Sequence, residues 1–141
     1  LPEGDRIEQG YVAIDAGADV EVRVRRRSGA CTLTVKGGTG LERAEVEIDI
    51  DEPTFEQLCE LAGTRVVTKS RSVITLDSGE EAEIDVFSGA LDGLRFVEVE
   101  FGDRAAAERF DPPSWFGRDL TAEPGWTNAD LAIRQAVPTD T

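Results

Sequence analysis

Two sets of charged residues recur at alternate positions along the chain. Arg23, Arg25, Lys36, Lys69 and Arg71 form a basic set, and Glu45, Glu47, Glu83, Asp85, Glu98 and Glu100 an acidic one. Most alternate with apolar residues at period two, the spacing that sends successive side chains to opposite faces of a β-strand. A face that served only solubility would mix signs within each strand, whereas here the signs segregate. Guanidinium and ammonium groups grip phosphate oxygens through charge-assisted hydrogen bonds. Carboxylates are hard oxygen ligands suited to Mg²⁺ or Mn²⁺, ions that take one or two carboxylates and share substrate phosphates. On one face, the two sets would hold a polyphosphate with its divalent cation. The competing reading of each strand taken singly is the solvated face of a one-sided antiparallel sheet, its charges paired across strands.

The elements that must position these groups follow from the same periodicity. Residues 6–14 are expected to form a strand, with Ile7, Gln9, Tyr11 and Ala13 on one side, turning through Ala16-Gly17-Ala18-Asp19 into a strand over 20–27. Ser28-Gly29 leads into 31–36, and Gly37-Gly38-Thr39-Gly40 into 42–50, where Ala44, Val46, Ile48 and Ile50 alternate with Arg43, Glu45, Glu47 and Asp49. Asp51-Glu52-Pro53 opens a helix whose apolar stripe is Phe55, Leu58, Cys59, Leu61 and Ala62, and Gly63 stops it. A hairpin over 65–76 and 81–87 turns at Asp77-Ser78-Gly79-Glu80, and 94–101 is the last strand. Residues 103–109 suit a short helix, and the chain from Pro112-Pro113 onward reads as loops and turns. Trp115, Phe116 and Trp126 are expected to cap the apolar exterior beneath the helices. The fold class is therefore α+β and β-dominated. It is an antiparallel sheet curving so that charged faces line a tunnel, with few helices packed outside, and about eight strands give a lumen for one small ligand. Ala44, Val46, Ile48, Val97, Val99 and Phe101 should face outward beneath the helices.

Composition bounds the function. At 141 residues and 40% hydrophobic content the chain suits one domain over 1–141 with a sizeable core. Acids outnumber bases 29 to 15, for a net charge of −14, a field that repels nucleic acid and anionic membrane. An anionic ligand must then be held by a local basic cluster or a bridging cation. With no histidine, the imidazole metal site and the Ser-His-Asp and Cys-His catalytic sets are excluded, and Cys31 and Cys59 are too few for a disulfide framework. A reducing, cytoplasmic setting is the default, and no apolar run approaches the roughly 20 residues that span a bilayer. Homodimerisation is left open.

The ordered motifs I-E-Q-G-Y (7–11), V-R-V-R (22–25), L-T-V-K-G (33–37), E-R-A-E-V-E (42–47), K-S-R (69–71), E-I-D-V-F (83–87) and V-E-V-E (97–100), with the tail W-F-G-R-D-L-T, resemble the CYTH family, the triphosphate tunnel metalloenzymes. The resemblance implies an eight-stranded antiparallel tunnel that hydrolyses inorganic triphosphate or a related organic triphosphate or polyphosphate with Mg²⁺ or Mn²⁺. Adenylate cyclases also occur among such proteins. By the same resemblance Arg23, Arg25, Lys36, Arg43, Lys69 and Arg71 fall on phosphate-gripping positions, and Glu45, Glu47, Asp85, Glu98 and Glu100 on metal-ligand positions. Tyr11 and Lys36 are the candidates for catalytic roles. One departure matters. The family opens with an E-x-E-x-K strand carrying two metal ligands and a lysine that pairs with the tyrosine matched here by Tyr11, and nothing before Tyr11 fits it. Because the chain begins at Leu1, the expectation is that the strand precedes this stretch in the natural protein, leaving seven strands and an open seam here. The alternative is a non-catalytic module that binds polyphosphate or a nucleotide.

Overall fold

The alternating segments become seven antiparallel strands of one curved sheet: β1 (Asp5–Asp15), β2 (Val20–Arg27), β3 (Ala30–Gly37), β4 (Ala44–Ile50), β5 (Val66–Thr75), β6 (Glu81–Phe87) and β7 (Arg95–Val99). The structure is a computed structural model that describes residues 2–38, 44–121 and 123–137. The order across the sheet is β4-β3-β2-β1-β5-β6-β7, so β4 and β7 are its edges and no ladder joins them among the described residues. Turns supply the reversals: Ser28 and Gly29 both take positive φ between β2 and β3, as does Gly79 between β5 and β6, a conformation glycine adopts without a Cβ clash.

Helix α1 (Glu52–Ala62) starts where Asp51 accepts a hydrogen bond from the Thr54 backbone N–H at 2.8 Å and Pro53 fixes the first turn. Its apolar stripe lies on the face of the sheet opposite Arg23 and Arg25, where the Arg26 guanidinium sits over the Phe55 ring. Phe55 packs there with Val24 and Cys31, and Val12, Leu33, Ile50, Leu58 and Cys59 extend the cluster. Burying each large side chain contributes about 1.5–3 kcal/mol. The helix approaches β1 closely over Gly10, where a methyl group would lie 3.1 Å from both Ala62 Cβ and Cys59 Sγ. Glycine is what allows that approach.

Four expectations are corrected. Val46 and Ile48 do face away from the charged side, but α1 stops short of them and they are 61% and 52% exposed. The last strand ends at Val99, so Glu100 and Phe101 follow it, and Phe101 stacks edge-on with Phe110 beside α2 (Arg104–Arg109). The tail is not all loop. Thr127 and Asp130 form a capping box that starts helix α3 (Asn128–Arg134), and Leu131 and Ala132 of that helix are fully buried. They pack with Tyr11, Val67, Phe87, Leu91 and Leu94, and with Phe96 and Trp126. Trp126 therefore belongs to this second core, on the charged side of the sheet, and not to the exterior.

Candidate active site

Residues directly opposite in an antiparallel ladder share a face, and the registers assemble the charged side row by row. Glu45, Lys36 and Glu21 form one row, and Glu47, Thr34, Arg23 and Tyr11 the next. Asp49, Thr32, Arg25, Gln9 and Val67 follow, then Arg27, Ile7, Lys69 and Phe87. Asp5, Arg71, Asp85 and Phe96 make a fifth row, and Val73, Glu83 and Glu98 a sixth. Cations thus occupy the middle strands, while carboxylates dominate the edge strand β4 and the β6–β7 side.

The middle of this face is withdrawn from water. Gln9, Tyr11, Thr34, Lys69 and Asp85 are buried, and Arg23 is 9% exposed. Arg25 donates from Nε to Gln9 Oε1 at 3.0 Å, and Gln9 Nε2 donates to the Tyr11 hydroxyl at 3.0 Å. Burial, with Arg23 and Arg71 nearby, pulls the Arg25 guanidinium below its ordinary range. Burial also pushes the Tyr11 phenol up to about 12, although Arg23 acts the other way. Arg23 Nε has no hydrogen-bond partner. Such a buried donor is costly unless something accepts from it.

Tyr11 is aimed by an irregularity in β1. Its backbone N–H donates to Arg65 O at 2.9 Å, and the Arg65 guanidinium returns donors to Tyr11 O at 3.0 Å and Val12 O at 3.2 Å. The register shift between Tyr11 and Ala13 falls at this clamp, where a bulge re-aims a side chain.

A second group of cations is already paired. Lys69, with 1% of its side chain exposed, contacts Asp85 Oδ2 at 2.9 Å and donates to Asn128 Oδ1 at 3.1 Å. Burial lowers its pKa, and Asp85 acts against that shift. Arg71 binds Asp85 at both oxygens and reaches Glu83 Oε2 at 2.8 Å. Burial alone would raise the Asp85 carboxyl, but the hydrogen bond from Arg71 and the charge of Lys69 hold it below the usual carboxylate range. Among the described residues, no three acidic or thiol side chains converge as a group that could hold a metal ion.

Comparison with known proteins bears on this arrangement. No model of a known protein family matches the chain. It is 39% identical over 137 residues to an inorganic triphosphatase of Nitrosomonas europaea, spanning 94% of this chain and 90% of that protein. The chain belongs to the inorganic triphosphatase family. A second relative, the inorganic triphosphatase of Acetivibrio thermocellus, is 36% identical over 136 residues, 93% of this chain and 82% of its own. The crystal structure of the inorganic triphosphatase NE1496 superposes with a TM-score of 0.79 at 36% identity, covering 99% of this chain and 93% of that one.

In this member of the inorganic triphosphatase family, Arg25 lies within electrostatic reach of Arg23, Arg71 and Lys69. Arg25 donates to the neutral Gln9 and Arg23 stands opposite the Tyr11 phenol in the ladder, while Lys69 and Arg71 share Asp85. Lys36 shares the face, on the far side of Arg23 from that group. Arg43 lies outside the described residues. Asp85 faces two cations and no other carboxylate, so it is not brought together with Glu45 and Glu47 on β4. Glu98 stands opposite Glu83, exposed, with Glu100 just past the strand end. Gln9, Arg65 and Asn128 are the participants that sequence reasoning missed. The alternation put Gln9 beside Tyr11, yet only the register shows it opposite Arg25. Nothing in the sequence near Arg65 points to the carbonyls it clamps.

Proposed function

We propose that this chain binds inorganic triphosphate along Arg23, Arg25 and Arg71 and hydrolyses it with Mg²⁺ or Mn²⁺, as a CYTH-type triphosphate tunnel enzyme. The supporting observation is the Arg23–Arg25 pair. Arg23, buried and facing the Tyr11 phenol, and Arg25, half-buried and held by the Gln9 amide, form a cationic pair that an anion would complete. Phosphate oxygens would accept from Arg23 Nε and from the free edges of both guanidiniums, neutralising charge that develops on the transferred phosphoryl group.

The carboxylates fit a cation shared with substrate oxygens better than a closed protein cage, since three do not converge among the described residues. Glu98 and Glu100, with Glu45 and Glu47 on the opposite edge, are the side chains that would hold it. When bound, such an ion would supply Lewis-acid activation of water and of the substrate. Asp85 is better read as the partner that keeps Lys69 and Arg71 in place. Two free thiols, Cys31 and Cys59, suit a reducing cytoplasm, and no helix among the described residues is long and apolar enough to cross a membrane.

The scattering of the carboxylates favours one second reading, a module that binds the anion without turnover. The test is orthophosphate release from tripolyphosphate, ATP and thiamine triphosphate with Mg²⁺ or Mn²⁺, beside calorimetric binding of tripolyphosphate. Release from tripolyphosphate supports hydrolysis; binding with no release supports the second reading; neither overturns both.

A further inference from the structure

The orientation of Gln9 is dictated by its neighbours. A guanidinium has donors and no acceptor, so the group Gln9 turns to Arg25 must be its oxygen, and its NH₂ is left to face Tyr11. The NH₂ has no acceptor either, so the phenol oxygen accepts from it. The Arg23 guanidinium, again a donor only, stands directly opposite Tyr11 in the ladder. Tyr11 is thus surrounded by donors, and its one proton has no acceptor in Gln9 or Arg23. That proton must point to something else.

We infer that Gln9 is a positioning residue: through one fully buried amide it holds Arg25 by its Nε edge and obliges the Tyr11 hydroxyl to donate to the bound anion. Gln9 touches no substrate itself. It sits directly opposite Arg25 in the ladder and two residues before Tyr11 on the same face, so a single side chain orders both neighbours. Holding Nε inside leaves the terminal nitrogens of Arg25 to meet phosphate oxygens. Reversing the amide would set NH₂ against guanidinium and leave donors facing donors, so the arrangement has one satisfied state. The inference rests on the proposed triphosphate site and assigns the direction of each hydrogen bond within it.

Tyr11 is the chain's single tyrosine, which makes a spectroscopic test specific. Tyrosine labelled with ¹³C at Cζ gives one resonance, and tripolyphosphate should shift it in the wild-type protein as the hydroxyl takes up an anionic acceptor. Gln9→Met keeps the side-chain length without either hydrogen bond. It should bind tripolyphosphate about tenfold or more weakly, the loss expected for contacts to a charged group, and lose the shift. Gln9→Glu should weaken binding further, because its carboxylate neutralises Arg25 and captures the Tyr11 proton. Tyr11→Phe, the least disruptive change, should weaken binding severalfold, and adding Gln9→Met to it should cost less than in the wild type. Wild-type affinity in Tyr11→Phe, or wild-type affinity and resonance shift in Gln9→Met, overturns the inference while the functional reading stands. Absence of both binding and shift in the wild-type protein overturns the functional reading, and this inference with it.

Discussion

Arg71 and Asp85 meet edge to edge across β5 and β6, Nε to Oδ1 at 2.8 Å and Nη2 to Oδ2 at 3.0 Å, while Lys69 Nζ closes on the same Oδ2 at 2.9 Å. One buried carboxylate therefore balances two cations. This explains how Lys69 can be buried at all, since an ammonium without a partner there would lose its proton or open the fold.

Asp85→Asn should accordingly destabilise the protein by about 3–5 kcal/mol, the cost of leaving a buried cation unpaired. The folded pKa of Asp85 lies below its unfolded value of 3.8. Its contribution is complete above the unfolded value and disappears as pH falls through the folded one. Urea unfolding at pH 6 should show the full difference between wild type and variant, and the difference should shrink below pH 3.8. A constant gap across that range would show that the pair does not carry the stability.

Arg25→Ala should weaken tripolyphosphate binding by about 1.5–3 kcal/mol, roughly tenfold to hundredfold. The site is desolvated, so the loss should persist at moderate salt, where exposed charges are screened. Calorimetric titration at two ionic strengths checks both points. Equal affinity in variant and wild type would mean that the half-buried guanidinium does not meet the anion.

Glu98→Gln with Glu100→Gln should raise metal-free stability slightly, by relieving repulsion among Glu83, Glu98 and Glu100, and should abolish any stabilisation by Mn²⁺. Thermal melts of both proteins with and without Mn²⁺ decide it. An equal Mn²⁺ shift in the two would move attention to Glu45 and Glu47 on β4.

Gly10→Val should destabilise the fold by about 1–3 kcal/mol through overpacking against Ala62 and Cys59. Denaturant unfolding measures this. The variant should retain its denaturant m-value, because the same surface is buried once α1 has shifted outward.

The sheet was legible because its signal is local. A valine-charge alternation such as Val22-Arg23-Val24-Arg25 reports both strand and face within a few residues, and the cation set on that face follows from it. Pairing is not local. Lys69 and Asp85 lie sixteen positions apart and their contact depends on the β5–β6 register, so the alternation alone offered them as phosphate and metal ligands without revealing that they bind each other. Helix α3 was overlooked although Thr127-x-x-Asp130 is a capping signature, because the apolar run behind it is only Leu131-Ala132-Ile133. Its place on the charged side comes from burial against Tyr11 and Val67, which no periodicity within the tail encodes. Exposure of Val46 and Ile48 was likewise invisible, since alternation gives a side chain's direction but not what covers it.

That uncovered edge governs how the protein behaves in concentrated solution. Among the described residues strand β4 ends the sheet with no strand paired along its outer side, and Val46 and Ile48 present an apolar stripe there. Such a strand is a template for sheet-to-sheet growth unless charge opposes it. Glu45, Glu47 and Asp49 supply that opposition at neutral pH, because two copies docking along β4 would bring like charges together. As the solution is acidified toward the chain's isoelectric point of about 4.3, the repulsion fades while the apolar stripe remains. Self-association in acid should therefore begin along β4, and Val46→Lys should suppress it.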